Sequence, residues 1–90
     1  GDILFFETAS APHHVLLHTA NSRMDFLGSL NELETQLGDR FIRTHRAYLV
    51  AADKIDTVDL KHNRLWAGGY ECLLSRAGKA ELRRKMGGSQ

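Results

Sequence analysis

Ninety residues suffice for one domain, and a chain of that length buries only about 60–65% of the surface its unfolded form exposes, so its core is thin. With 42% hydrophobic residues, 26% charged residues and a single proline, the composition excludes a disordered segment and is that of a globular domain. The net charge of +1 hides a division: residues 1–39 carry one arginine against six acids, whereas residues 40–90 carry eleven Lys and Arg against five acids, a split that hints at contact with a polyanion.

In chain order, residues 2–8 (DILFFET) hold a short apolar run bounded by polar residues, which predicts a largely buried strand. After a loop over residues 9–12, residues 13–19 and 23–27 flank the polar break Ala20, Asn21, Ser22 and read as a hairpin. Ser29 and Glu32 have capping-box spacing, and Phe26, Leu30, Leu33 and Leu37 recur at helical spacing, so a helix begins at Ser29 and stops at Gly38. Residues 41–46 and 48–50 read as extended pieces joined near Ala47, followed by a polar connection through Asp53. Residues 55–61, 64–67 and 70–74 form a meander with turns at His62, Asn63 and at Gly68, Gly69. Residues 75–86 predict a short basic helix with Leu82 and Met86 on its apolar side, weakened by Gly78, and residues 87–90 a flexible tail. The sum is one mainly β domain over residues 1–86, with no internal repeat and no helix-turn-helix pattern.

Cys72 is alone and forms no internal disulfide, no apolar run approaches the roughly 20 residues of a membrane span, and no signal peptide opens the chain, so a cytoplasmic domain without a membrane partner is expected. There is no glycine-rich phosphate loop, no serine elbow and no paired-carboxylate constellation, so neither catalysis nor a cofactor is expected.

Residues 2–7 (DILFFE), the helix start at residues 28–33 (GSLNEL) and residues 41–48 (FIRTHRAY) follow, in order and spacing, a known family: the chain resembles the LytTR-type DNA-binding domains of bacterial response regulators over nearly its whole length. The resemblance implies an elongated fold of small packed antiparallel sheets with one or two short helices, whose inter-strand loops enter DNA grooves. It also implies sequence-specific binding of double-stranded promoter DNA at tandem direct repeats, and control of genes such as those for quorum sensing. An upstream receiver domain, absent from this chain, is implied as well, with the isolated domain monomeric and pairing on DNA. His13, Arg46 and Arg76 match the family's base-contact positions. For Arg76 the chemistry is strong, because a guanidinium donates two parallel hydrogen bonds to guanine O6 and N7. His14, Arg43, Lys61, Arg64, Lys79 and Arg83 are the expected phosphate contacts, with the register between His13 and His14 open by one residue. Ala51 stands where the family often carries asparagine. The competing reading is a β-rich protein-interaction module.

Five histidines invite a metal, but His14 and His18 on one strand lie about 13 Å apart, too far to share zinc at about 2.0 Å. Cys72 reads as a packed small residue rather than a redox site. Arg43 and His45, two apart on a strand, are expected on one face with Arg46 on the other. His45 itself reads as a hydrogen-bonded structural residue in preference to a DNA contact. Trp66 and Tyr70 are expected to help build the core rather than to stack on bases.

Overall fold

Four consecutive apolar residues, Ile3 to Phe6, fit a strand covered on both faces, and that strand is the centre of the molecule. The computed structural model describes residues 2–87. Its strands β1 (Ile3–Thr8), β2 (His14–Thr19), β3 (Arg23–Leu27), β4 (Phe41–His45) and β5 (Tyr48–Ala51) form an antiparallel sheet in the order β3-β2-β1-β5-β4. Strands β6 (Ile55–Asp59), β7 (Arg64–Ala67) and β8 (Tyr70–Leu73) form a second antiparallel sheet in sequential order. Helix α1 (Leu30–Leu37) follows β3, and α2 (Arg76–Leu82) follows β8. With extents of 37 × 25 × 25 Å, this is the elongated, mainly β architecture expected. Of the expected tail, residues 88–90 lie outside the described residues.

Helix α1 covers one face of the large sheet. Ser29 caps it, its hydroxyl accepting from the Glu32 N–H at 3.2 Å, and Gly38 closes it at φ 70°, ψ −150°, a positive-φ conformation that is open essentially to glycine alone. Eight residues do not hold a helix in water by themselves. Buried Leu30 and half-buried Leu33 and Leu37 supply the hold against Phe6, Val15, Phe41 and Leu49, about 1.5–3 kcal/mol for each fully buried side chain.

The small sheet and α2 cover the opposite face, where Leu65, Ala67, Cys72, Leu74 and Leu82 meet Leu4, Phe5, Ile42 and Val50. Leu4 and Phe5 both reach this core because β1 carries a bulge: Ile3 pairs with Thr19 and Phe5 with His18, so Leu4 is an extra residue. Half-exposed Glu7 meets the ring of buried His18 at 2.5 Å, and that ring stacks on Phe5 with centroids 4.2 Å apart. Burial and the Glu7 carboxylate push the Tyr48 phenol up to about 12. Burial likewise pushes the Cys72 thiol up to about 12, which keeps it protonated and packed, as a small apolar residue.

A second bulge lies in β4, where Arg43 pairs with Leu49 and His45 with Tyr48, leaving Thr44 between them. Helix α2 docks on it. The Ser75 N–H donates to the Thr44 carbonyl at 2.8 Å, and Gly78 lies so close that a Cβ there would sit 1.8 Å from the same oxygen. Thr44 itself is fully buried, and among the described residues its hydroxyl has no hydrogen-bond partner. Thr44→Val is therefore expected to stabilise the fold by about 1 kcal/mol, since it removes an unsatisfied polar atom while keeping the shape. A lowered urea midpoint at unchanged m value would show that the hydroxyl is satisfied after all.

Three expectations are corrected. Trp66 is only half-buried and points away from the core, because Leu65 and Ala67 take the inward positions of β7; its cross-strand neighbours are Thr57 and Glu71. Tyr70 is 45% exposed at the rim, its ring 6.2 Å from that of Phe5. Met86 is 52% exposed, because α2 gives way to a π turn at Arg83–Gly87, whose extra residue breaks the four-residue alignment with Leu82. In addition, β6 ends at Asp59, so Lys61 belongs to a turn rather than to a strand, and Ala51 is a buried end of β5.

Candidate nucleic-acid interface

Three main-chain hydrogen bonds bring segments remote in sequence against one another. Thr8 N–H donates to Ala47 O at 3.0 Å, placing the β1–β2 loop beside the β4–β5 turn. The Ser75 bond to Thr44 sets the start of α2 next to that turn, and Leu74 N–H donates to Asn63 O at 3.0 Å, adding the β6–β7 turn. These bonds join in series the segments that carry His13, Arg46, Arg76 and Lys61.

His13 ends the first of these loops, exposed and at φ 63°, in the left-handed region that non-glycine residues adopt rarely. Its carbonyl accepts from Gly28 N–H at 2.9 Å, which ties the loop to the start of α1. His14 is already in β2 and pairs with Asp25 at 2.5 Å, so of the two adjacent histidines it is His13 whose ring has no partner among the described residues. Arg46 is exposed in the β4–β5 turn, and Arg76 is exposed as the first residue of α2. Lys79 and Arg83 follow Arg76 at helical spacing, on the side away from buried Gly78 and Leu82. None of the side chains of Arg46, Lys61, Arg76, Lys79 and Arg83 has a recorded acceptor among the described residues.

Of the other basic residues, Arg23, Arg40 and Lys54 have no side-chain acceptor among the described residues, whereas Arg43, Arg64, Arg84 and Lys85 are engaged. Arg64 pairs with Glu71 at 3.1 Å, Arg84 with Glu81 at 2.6 Å, and Lys85 donates to Phe41 O at 3.0 Å, which pins the end of α2. Arg43 is held inside the protein: its guanidinium donates to Asn31 and Glu34 on α1, and to the carbonyls of His45 and Arg46. Two acids near these segments are covered by partners, Glu34 by Arg43 and Glu81 by Arg84, whereas Glu32, which lines one depression with His13, has no cationic partner among the described residues.

His45 does not share a face with Arg43, contrary to the alternation expected for a regular strand. The bulge at Thr44 puts Arg43 on the α1 side with Leu49 and turns His45 to the side of Tyr48, whose ring it meets edge-on at 6.0 Å. His45 Nδ1 accepts from Ala47 N–H at 3.0 Å, and burial together with Arg46 and Arg43 lowers its pKa, so the ring is neutral at pH 7 with its proton on Nε2. This is the structural part expected of it. Sequence reasoning missed the docking of Ser75 and Gly78 on Thr44 and the internal engagement of Arg43. The serine just before a basic helix was the available signal for a cap, and Ser75 Oγ does accept from Gly78 N–H at 3.0 Å.

Among the described residues, no three His, Cys, Asp or Glu side chains are grouped as metal ligands, and no helix is long and apolar enough to cross a membrane.

Comparison with known proteins places this geometry. The fold superposes with a TM-score of 0.80 on a LytTr DNA-binding domain from Bacillus cereus, at 21% identity and covering 96% of this chain and 82% of that one. The chain is 40% identical over 60 residues to accessory gene regulator protein A of Staphylococcus aureus, covering 67% of this chain and 25% of the relative. It is 33% identical over 75 residues to the protein of the same name from Staphylococcus epidermidis, covering 82% and 31%. The chain therefore spans between a quarter and a third of the length of these relatives. A family model described as the LytTr DNA-binding domain matches residues 1–87, and the chain belongs to that family.

Proposed function

We propose that this chain binds double-stranded promoter DNA in a sequence-specific manner, as the cytoplasmic output domain of a response regulator that also carries a receiver domain. Its role is binding and not catalysis, and it needs no cofactor. The observation that carries the reading is that His13, Arg46 and Arg76 are solvent-exposed and unpaired among the described residues, on three separate segments that main-chain hydrogen bonds join in series. In this reading Arg76 forks onto a guanine in the major groove, and His13 and Arg46 contact neighbouring base edges. Lys61, Lys79 and Arg83 contact phosphates, as do His14 and Arg64 if they exchange their carboxylate partners. The isolated domain is a monomer that pairs with a second copy on tandem direct repeats.

The test is selection of bound duplexes from a random pool at moderate salt, followed by titration of the winner against scrambled competitor. A recurring short sequence bound orders of magnitude more tightly than competitor supports the reading. No enrichment would turn it toward a protein partner. Lys79→Ala is expected to weaken cognate and scrambled duplex alike and to reduce the slope of log K against log salt by about one, as loss of a single phosphate contact does. An unchanged slope removes Lys79 from the phosphate contacts.

A further inference from the structure

We infer that Arg43 is a positioning residue for DNA recognition: it braces the β4–β5 turn against α1 and so fixes the direction in which Arg46 leaves the protein. The inference rests on the DNA-binding reading. A guanidinium has five N–H donors, and four of those of Arg43 are committed. Nε donates to His45 O at 3.1 Å and one Nη2 hydrogen to Arg46 O at 2.7 Å, so a single planar group spans the two carbonyls at the turn. Nη1 donates to Asn31 Oδ1 at 2.8 Å and Glu34 Oε1 at 2.9 Å, which anchors the turn to a helix held by its own core contacts. The side chain is 19% exposed, and Glu34 neutralises its charge.

The local geometry explains why a brace is needed. The bulge at Thr44 interrupts the ladder between the Arg43–Leu49 and His45–Tyr48 pairs, just before the turn from which Arg46 must be aimed. Gly28, two residues before α1, donates to the His13 carbonyl, so the helix and the residues leading into it touch two of the three proposed reading elements. Lysine cannot replace Arg43, since its three donors sit on one atom and cannot span the four acceptors.

Arg43→Lys and the milder Glu34→Gln test this with two readouts. The first needs no DNA: amide exchange of Ala47, whose N–H donates to His45 Nδ1, and of Thr8, whose N–H donates to Ala47 O, is expected to speed up about tenfold or more in the free protein at a temperature where thermal melting shows each variant folded. The second is binding. Affinity for the selected duplex is expected to fall about ten- to a hundredfold, with affinity for scrambled duplex and the salt slope unchanged. Adding Arg46→Ala to Arg43→Lys is expected to cost less than Arg46→Ala costs the wild type, because the turn is already loose. Equal loss on both duplexes with a salt slope lower by about one, and unaltered exchange at the turn, would make Arg43 a phosphate contact and overturn the inference. So would wild-type discrimination in both variants. If the wild-type domain selects no duplex, the DNA-binding reading fails by itself, while the exchange data still decide whether Arg43 braces the turn.

Discussion

Gly78→Ala is expected to destabilise the domain by about 3 kcal/mol, which lowers the melting temperature of a domain of this size by roughly 15 °C. Taken alone, alanine in a helix interior is favoured over glycine by about 1 kcal/mol, so propensity argues for the opposite sign. Sterics decide. The added Cβ would lie 1.8 Å from Thr44 O, 2.4 Å from Thr44 C and 2.9 Å from Thr44 Cα, all main-chain atoms of a strand buried between two layers. No rotamer change relieves such a contact, so α2 must lift from β4. Lifting it breaks the Ser75 bond to Thr44 and opens the core around Leu82. Because Arg76 begins the same helix, affinity for DNA is expected to fall with the stability. Thermal unfolding decides: an alanine variant that melts at or above the wild-type temperature would mean that the helix does not sit on the strand as described.

The other large effect is expected at Arg76. Removing its guanidinium in Arg76→Ala is expected to cost about 1–3 kcal/mol on the selected duplex and to relax preference at one base pair. Its position gives the reason, since Arg76 opens α2, is exposed, and has no acceptor within the described part of the protein that would compete with a base. Arg76→Lys separates charge from shape: it keeps the attraction to phosphates but loses the fork, so scrambled duplex is bound as by wild type while discrimination drops. Equal losses on every sequence would instead make Arg76 a phosphate contact. The two experiments are independent in kind, because Gly78→Ala acts through the fold and Arg76→Ala leaves melting unchanged.

Where the element boundaries came out as expected, short-range chemistry carries them. β3 at Arg23–Leu27 and β7 at Arg64–Ala67 match the predicted residues, each framed by polar or glycine turns. Helix α1 starts after Ser29 and ends at Gly38 because capping depends on atoms within one turn of the helix. The second helix was legible at its start and not at its end. Ser75 announces the cap, but the π turn over Arg83–Gly87 forms where the end of α2 settles on the sheet, with Lys85 bound to the Phe41 carbonyl.

The site was partly legible. Arg76 lies at the start of the helix that local pattern predicts, and the family resemblance singled out His13 and Arg46, although the extended pieces expected over residues 13–19 and 41–46 include both, where the structure has the end of a loop and a turn. That the segments carrying them adjoin depends on hydrogen bonds between residues 39, 31 and 11 positions apart, from Thr8 to Ala47, Ser75 to Thr44 and Leu74 to Asn63. Arg43 was indistinguishable in sequence from its neighbours as a cation on a half-exposed strand. Its engagement follows from where α1 lies, which no local pattern encodes.

Periodicity, caps and turn residues, read along the chain, were thus enough for the class of fold and the strand and helix starts, while composition showed the uneven distribution of charge and three motifs in series carried the family resemblance. The two β-bulges, the reversal of His45, the outward Trp66 and the docking of Gly78 came only with tertiary packing. The physical reason is common to all four. A bulge is a relation of register between two strands, and burial depends on what covers a face, so both are properties of pairs of segments whose encounter the order of residues along one of them does not express.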